Sequence, residues 1–156
     1  MIKLIGDNDI YSCIELMNTS LQELDHQLYE RNERCWLQHI AHHVEEQNKG
    51  NALFLAIGDY ASDNSIRGFM LASAFRNFYN HGWIMDVKDC ITDSNYNNAF
   101  TVARLFNYMI EHVKEQGGTY WRADTIRAGT EANNYIQFLI KKYNAIPFHG
   151  VHGKIK

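Results

Sequence analysis

The segment WIMDVKDCIT (residues 83–92) reads as a strand whose apolar alternation is interrupted by acids. Strict alternation places Trp83, Met85, Val87, Asp89 and Ile91 on one face. Ile84, Asp86, Lys88, Cys90 and Thr92 then share the other. A carboxylate in a central strand is costly to bury, which makes Asp86 a candidate for chemistry. It could act as a general base, directly or through water. The competing role is structural: Lys88, two residues on and on the same face, would neutralise it. Asp89 is the other candidate base, available if a bulge shifts the alternation. Cys90 has no neighbouring histidine in sequence and reads as a packed thiol.

His39 and His43 stand one helical turn apart and could share a metal. Glu45 and Glu46 complete no metal-ligand spacing, and there is no HExxH, so the expectation is a solvated helix face and no metal. His149 and His152 would fall on opposite faces of a strand. Cys13, Cys35 and Cys90 form neither a disulfide framework nor a CxxC pair, which implies a reducing compartment.

These side chains need elements to hold them. Residues 2–5 (IKLI) are a short strand, and Asp7 or Asp9 caps the helix that follows. That first helix carries Ile10, Cys13, Ile14, Met17 and Leu21 on one stripe. A second helix runs from about Tyr29 to Asn48, with Gly50 as a left-handed stop. Strands at 52–57 and 66–75 form a hairpin around GDYASDNS, and RNFYNHG turns into strand 83–92. A strong helix spans 98–116 and ends at Gly117-Gly118. Strand 119–126, a helix opening over 127–132 and ending at Tyr143, and a closing strand in HGVHGKIK complete the chain. Helices between the late strands require crossovers, so those strands pair parallel, whereas the central hairpins pair antiparallel. The fold class is therefore α/β: a mixed, mostly antiparallel central sheet with helices on both faces.

The 156 residues suit one domain, 1–156, without linker or repeat. A composition 46% hydrophobic and 21% charged excludes a disordered chain and a coiled coil. A net charge of −3 argues against nucleic acid as partner. No apolar run approaches the ~20 residues that cross a bilayer, and no signal peptide opens the chain, so no membrane role and a cytoplasmic location are expected. The aromatic residues Phe75, Phe78, Tyr79 and Trp83 straddle a turn. They are candidates for an acceptor pocket, or for a homodimer or partner surface.

This order of elements, at this length, resembles the coenzyme A-dependent N-acetyltransferase (GNAT) superfamily over nearly the whole chain. The late segments carry the resemblance: WIMDVKDCIT, FTVARLFNYMIEHVKEQGG, TYWRADTI and NNYIQFLIKKYNAIPF. They look like the family's central strand, pyrophosphate-binding helix, splayed strand and final helix. The resemblance implies acetyl-CoA as cosubstrate and a small-molecule or protein amine as acceptor. It implies a pantetheine arm along Cys90, Ile91 and Thr92, between strands 83–92 and 119–126. The pyrophosphate would meet backbone N–H groups at Asn97, Asn98, Ala99, Phe100, Thr101 and Val102. The family's Gln/Arg-x-x-Gly-x-Gly/Ala motif falls on Asn97, Phe100 and Val102, which differ from it. In the last helix Asn133 matches the family's asparagine, implying a catalytic and cofactor-binding role. Ile140 stands at the position of the tyrosine acid, with Tyr135 and Tyr143 nearby, and Asn144 replaces the turn glycine. Asp86 lies at a spacing that resembles the catalytic glutamate of histone-type members. Two functions follow: an N-acyltransferase working by direct attack, with no metal or covalent enzyme intermediate, or a catalytically inactive protein on the same scaffold, serving as a binding or structural component of an assembly. The second expects a cleft blocked by Phe100.

Overall fold

The computed structural model describes residues 1–22, 32–76, 82–93, 95, 98–123 and 129–147. The chain runs β1 (Ile2–Leu4), a 3-10 turn (Asp7–Asp9), α1 (Ile10–Gln22), α2 (Glu33–Asn48), β2 (Phe54–Tyr60), β3 (Ile66–Arg76), β4 (Trp83–Thr92), α3 (Asn98–Glu115), β5 (Tyr120–Ala123) and α4 (Gly129–Tyr143). The sheet order is β1-β2-β3-β4-β5. The first four strands pair antiparallel and β4–β5 is parallel, as the crossover argument requires. The closing strand expected in HGVHGKIK lies outside the described residues, as do Phe78, Tyr79, Asn97, His149 and His152.

Two boundaries depart from expectation for local reasons. Helix α2 starts at Glu33 rather than Tyr29, where the Asn32 side chain accepts the Cys35 N–H at 3.1 Å. Strand β2 extends through Gly58-Asp59-Tyr60, which the sequence marks as a turn. Asp59 stays in the strand, fully buried, because Arg104 (3.1 Å) and Arg67 (3.3 Å) neutralise it. Gly50 and Gly117 do take left-handed backbone (φ 77° and 73°), and Asn144 does so in the glycine's stead (φ 53°).

The alternation along β4 is broken. Leu71 pairs with Asp89 and Ala72 with Val87, so Lys88 is an extra residue in β4, a β-bulge. The cores show the consequence. Met85 and Val87 pack with Leu105, Phe106 and Met109 of α3, whereas Ile91 packs with Met17 of α1 and Ile40 and Val44 of α2. The strict alternation expected for residues 83–92 therefore fails after Val87. Asp89 and Ile91 join Asp86 on the α1/α2 face, while Cys90 packs against the α3/α4 core.

Helix α3 is seated close to the sheet at Gly68. A Cβ there would come within 2.7 Å of Thr101 Cγ2 and 2.9 Å of the Ile91 carbonyl oxygen. The latter is backbone and cannot rotate away. Gly68→Ala should thus cost about 1–3 kcal/mol through overpacking. Urea unfolding checks this, and an unchanged midpoint would refute the close seating.

Candidate active site along β4

Among the described residues β5 pairs with β4 from Ile84↔Tyr120 to Val87↔Ala123. β4 continues to Thr92, paired with β3 through Gly68↔Thr92. The start of α3 lies beside the far end of β4, where Thr101 packs beneath Gly68 and Thr92.

On the α1/α2 face, Asp86 meets its register partner Arg122. Arg122 Nε donates to Asp86 Oδ1 and Nη2 to Oδ2, both at 2.8 Å. This bidentate fork matches carboxylate geometry. Lys88 Nζ donates to the same Oδ2. Across the sheet the Phe75 ring backs the Arg122 guanidinium at 4.7 Å. Burial works to raise the Asp86 pKa, but the Arg122 and Lys88 hydrogen bonds and charges outweigh it and hold the carboxyl below its ordinary range. The structural pairing with Lys88 is therefore present, joined by Arg122. A carboxylate gripped on both oxygens by cations accepts a proton poorly.

Past the bulge, Asp89 faces α2. Its Oδ2 lies 3.2 Å from His39 Nε2. The His39 side chain is 39% exposed, so a ligand can reach it, whereas Asp89 is 15% exposed. His43 lies one turn on and is buried, its ring edge-on to His39 at 4.5 Å. Its Nδ1–H is set to donate to the His39 carbonyl at 3.0 Å, leaving Nε2 buried without a hydrogen-bond partner. The expected solvated face is thus corrected: His42 is exposed, but His39 and His43 turn toward the sheet because the stripe of Ile40 and Val44 does so. Among the described residues no group of three His, Cys, Asp or Glu side chains gathers as a metal site.

At the α3 start, Asn98, Ala99 and Phe100 are exposed, whereas Thr101 and Val102 are buried. Val102 belongs to the α3/α4 core and so takes no room outside the helix. The Phe100 ring is 57% exposed and stacks on the Arg104 guanidinium at 5.5 Å. No acidic residue stands in the first turn. Asn133 is exposed near the beginning of α4. Tyr143 is a packing residue: it adjoins Phe106, Trp121 and Phe138, and its hydroxyl lies 3.0 Å from both the Ala103 carbonyl and Asn107 Oδ1. Burial, with a smaller contribution from Cys90, pushes its pKa up to about 12. Tyr135 is half-buried beside Phe106, with ring centroids 6.4 Å apart.

No protein-family model and no curated protein sequence matches the chain. Solved structures do. A probable acetyltransferase matches with TM-score 0.75 and 9% identity, over 100% of this chain and 98% of its own. An aminoglycoside 6'-N-acetyltransferase from Acinetobacter haemolyticus matches with TM-score 0.71 and 14% identity, over 100% and 97%. Glucosamine-6-phosphate N-acetyltransferase from Arabidopsis thaliana matches with TM-score 0.69 and 14% identity, over 99% and 97%. The fold is that of the GNAT acetyltransferases.

Sequence reasoning missed Arg122 and the partnership of His39 with Asp89. Arg122 had a signal, since it is a lone cation in the short strand TYWRADTI and parallel pairing with β4 brings it beside an acid. His39 had none beyond its helical spacing.

His43 generates a pH prediction. Burial pushes its pKa down to about 4 from an ordinary 6.5, despite the opposing hydrogen bond to His39. Between those values the unfolded chain takes up a proton that the folded chain refuses. Stability from this residue is thus complete above about pH 6.5 and is lost as pH falls toward 4, by about 3 kcal/mol. Urea unfolding at pH 7 and pH 4 should show His43→Leu losing less stability on acidification than the parent by about that amount. An equal loss in both would refute it.

Proposed function

We propose that the chain is an N-acyltransferase that moves an acyl group, acetyl first, from coenzyme A to an amine. The observation that carries this is the parallel pairing of β4 with β5 beside the start of α3, within a fold shared from end to end with acetyltransferases. Pantetheine would lie along Cys90, Ile91 and Thr92, and the pyrophosphate would meet the N–H groups of residues 97–102, where the helix dipole favours anions. The Asn133 side-chain amide would hydrogen-bond the cofactor from α4. The amine nitrogen attacks the thioester carbonyl carbon, the tetrahedral oxyanion collapses, and the C–S bond breaks to release coenzyme A. Asp86 serves this reading by fixing Arg122 and Lys88. Acceptors of the neighbours' kind, aminoglycosides and amino sugars, belong in the first amine panel.

The non-catalytic alternative draws on the bulk of Phe100.

Calorimetric titration with acetyl-CoA should show saturable binding, and Asn133→Ala should raise Kd about 10-fold through one lost hydrogen bond. An absence of binding at about 1 mM acetyl-CoA would sink the transferase reading.

A further inference from the structure

We infer that His39 is the general base that takes the acceptor's proton, with Asp89 as the residue that positions it. This rests on the N-acyltransferase reading and assigns within it a role that Asp86 is ill-placed to fill. His39 comes from α2 and Asp89 from β4, one residue past the Lys88 bulge. That bulge is what turns Asp89 onto the α1/α2 face. The pair is therefore beside Cys90, Ile91 and Thr92, along which the pantetheine would lie, on the face opposite the α3/α4 core.

The chemistry follows from which nitrogen is engaged. With Nε2 3.2 Å from Asp89 Oδ2, the neutral imidazole carries its proton on Nε2 and donates it to the carboxylate. The lone pair is then on Nδ1. An acceptor arriving as an ammonium loses one proton to Nδ1, directly or through one water, and Asp89 stabilises the imidazolium that forms. The freed amine forms the N–C bond. In the tetrahedral adduct the nitrogen gives up its second proton, the C–S bond breaks, and the departing thiolate takes a proton to leave as the thiol. The imidazolium then returns its proton to water.

The charged and titratable neighbours support this division. On the same sheet face Asp86 is held by Arg122 and Lys88, which leaves Asp89 as the carboxylate facing the imidazole. On α2 itself, His43 is buried beside His39 and holds its place through the hydrogen bond to the His39 carbonyl, whereas His42 and Cys35 are exposed. From α1, Cys13 is buried in the core and Glu15 is exposed. β3 carries Arg67 and Arg76 near its two ends, away from the Leu71 that pairs with Asp89. β2 places Asp59 with Arg67 and Arg104, and Tyr60 against Asp9. Asp7 lies at Asn48, the C-terminal end of α2.

The test is steady-state kinetics against pH, with acetyl-CoA and the best amine of the panel. His39→Gln should lower kcat/KM about 100-fold or more at pH 7, leave the acetyl-CoA Kd unchanged by calorimetry, and abolish the acidic limb of the kcat/KM profile. Asp89→Asn should cause a smaller loss and move that limb to lower pH, since the imidazolium loses its neighbouring anion. A purely structural Asp89 would leave the limb where it was. Circular dichroism confirms that the variants fold. If the parent enzyme turns over and His39→Gln retains its kcat/KM and its pH profile, the inference is overturned while the transferase reading stands. If the parent neither binds acetyl-CoA nor turns over, both fall together.

Discussion

One surplus residue in β4 decides which side chains reach each face of the sheet. Lys88 has no register partner in β3, and the backbone accommodates it by rotating everything beyond it through half a pleat. Before Lys88, the odd-numbered residues serve the α3/α4 core; after it, they serve the α1/α2 core. Without it, Asp89 would point into the apolar layer of Phe106 and Met109, where an unpaired carboxylate is too costly to keep. The bulge therefore makes an acid tolerable at that position and brings it to His39.

Two carboxylates three positions apart on one strand consequently live in different electrostatic settings. Asp86 is enclosed, held bidentately by a guanidinium and again by an ammonium. Asp89 faces an imidazole whose charge is variable. The first arrangement fixes geometry, and the second can respond to proton traffic. That separation of roles by surroundings is how active sites make similar side chains do different work.

The extents of β4 and α3 were legible in the sequence because their signals are local: alternating or helically spaced apolar residues bounded by turn formers. The left-handed backbone at Gly50 and Asn144 was legible for the same reason. Strand β2 was cut short because Gly58-Asp59-Tyr60 has turn composition. Arg67 and Arg104, brought in from β3 and α3, together with the Met1 ammonium, make a buried aspartate acceptable there. Asp86 was legible as an acid in an apolar run and Asn133 as a match to a helix pattern. Arg122 and His39 were not, because each acquires its meaning from a partner in another element, joined by a register that spacing along the chain does not encode. The bulge was conceivable but not locatable, since no glycine or proline marks it.

Gly68 has a consequence for evolution on this scaffold. Thr101 and the Ile91 carbonyl occupy the volume that any other amino acid would need there. The height of the α3 origin above the sheet is therefore set by a single absent methyl group. Drift elsewhere in α3 can change what the helix displays, whereas a side chain at this position would have to lift the helix or displace the Ile91 carbonyl.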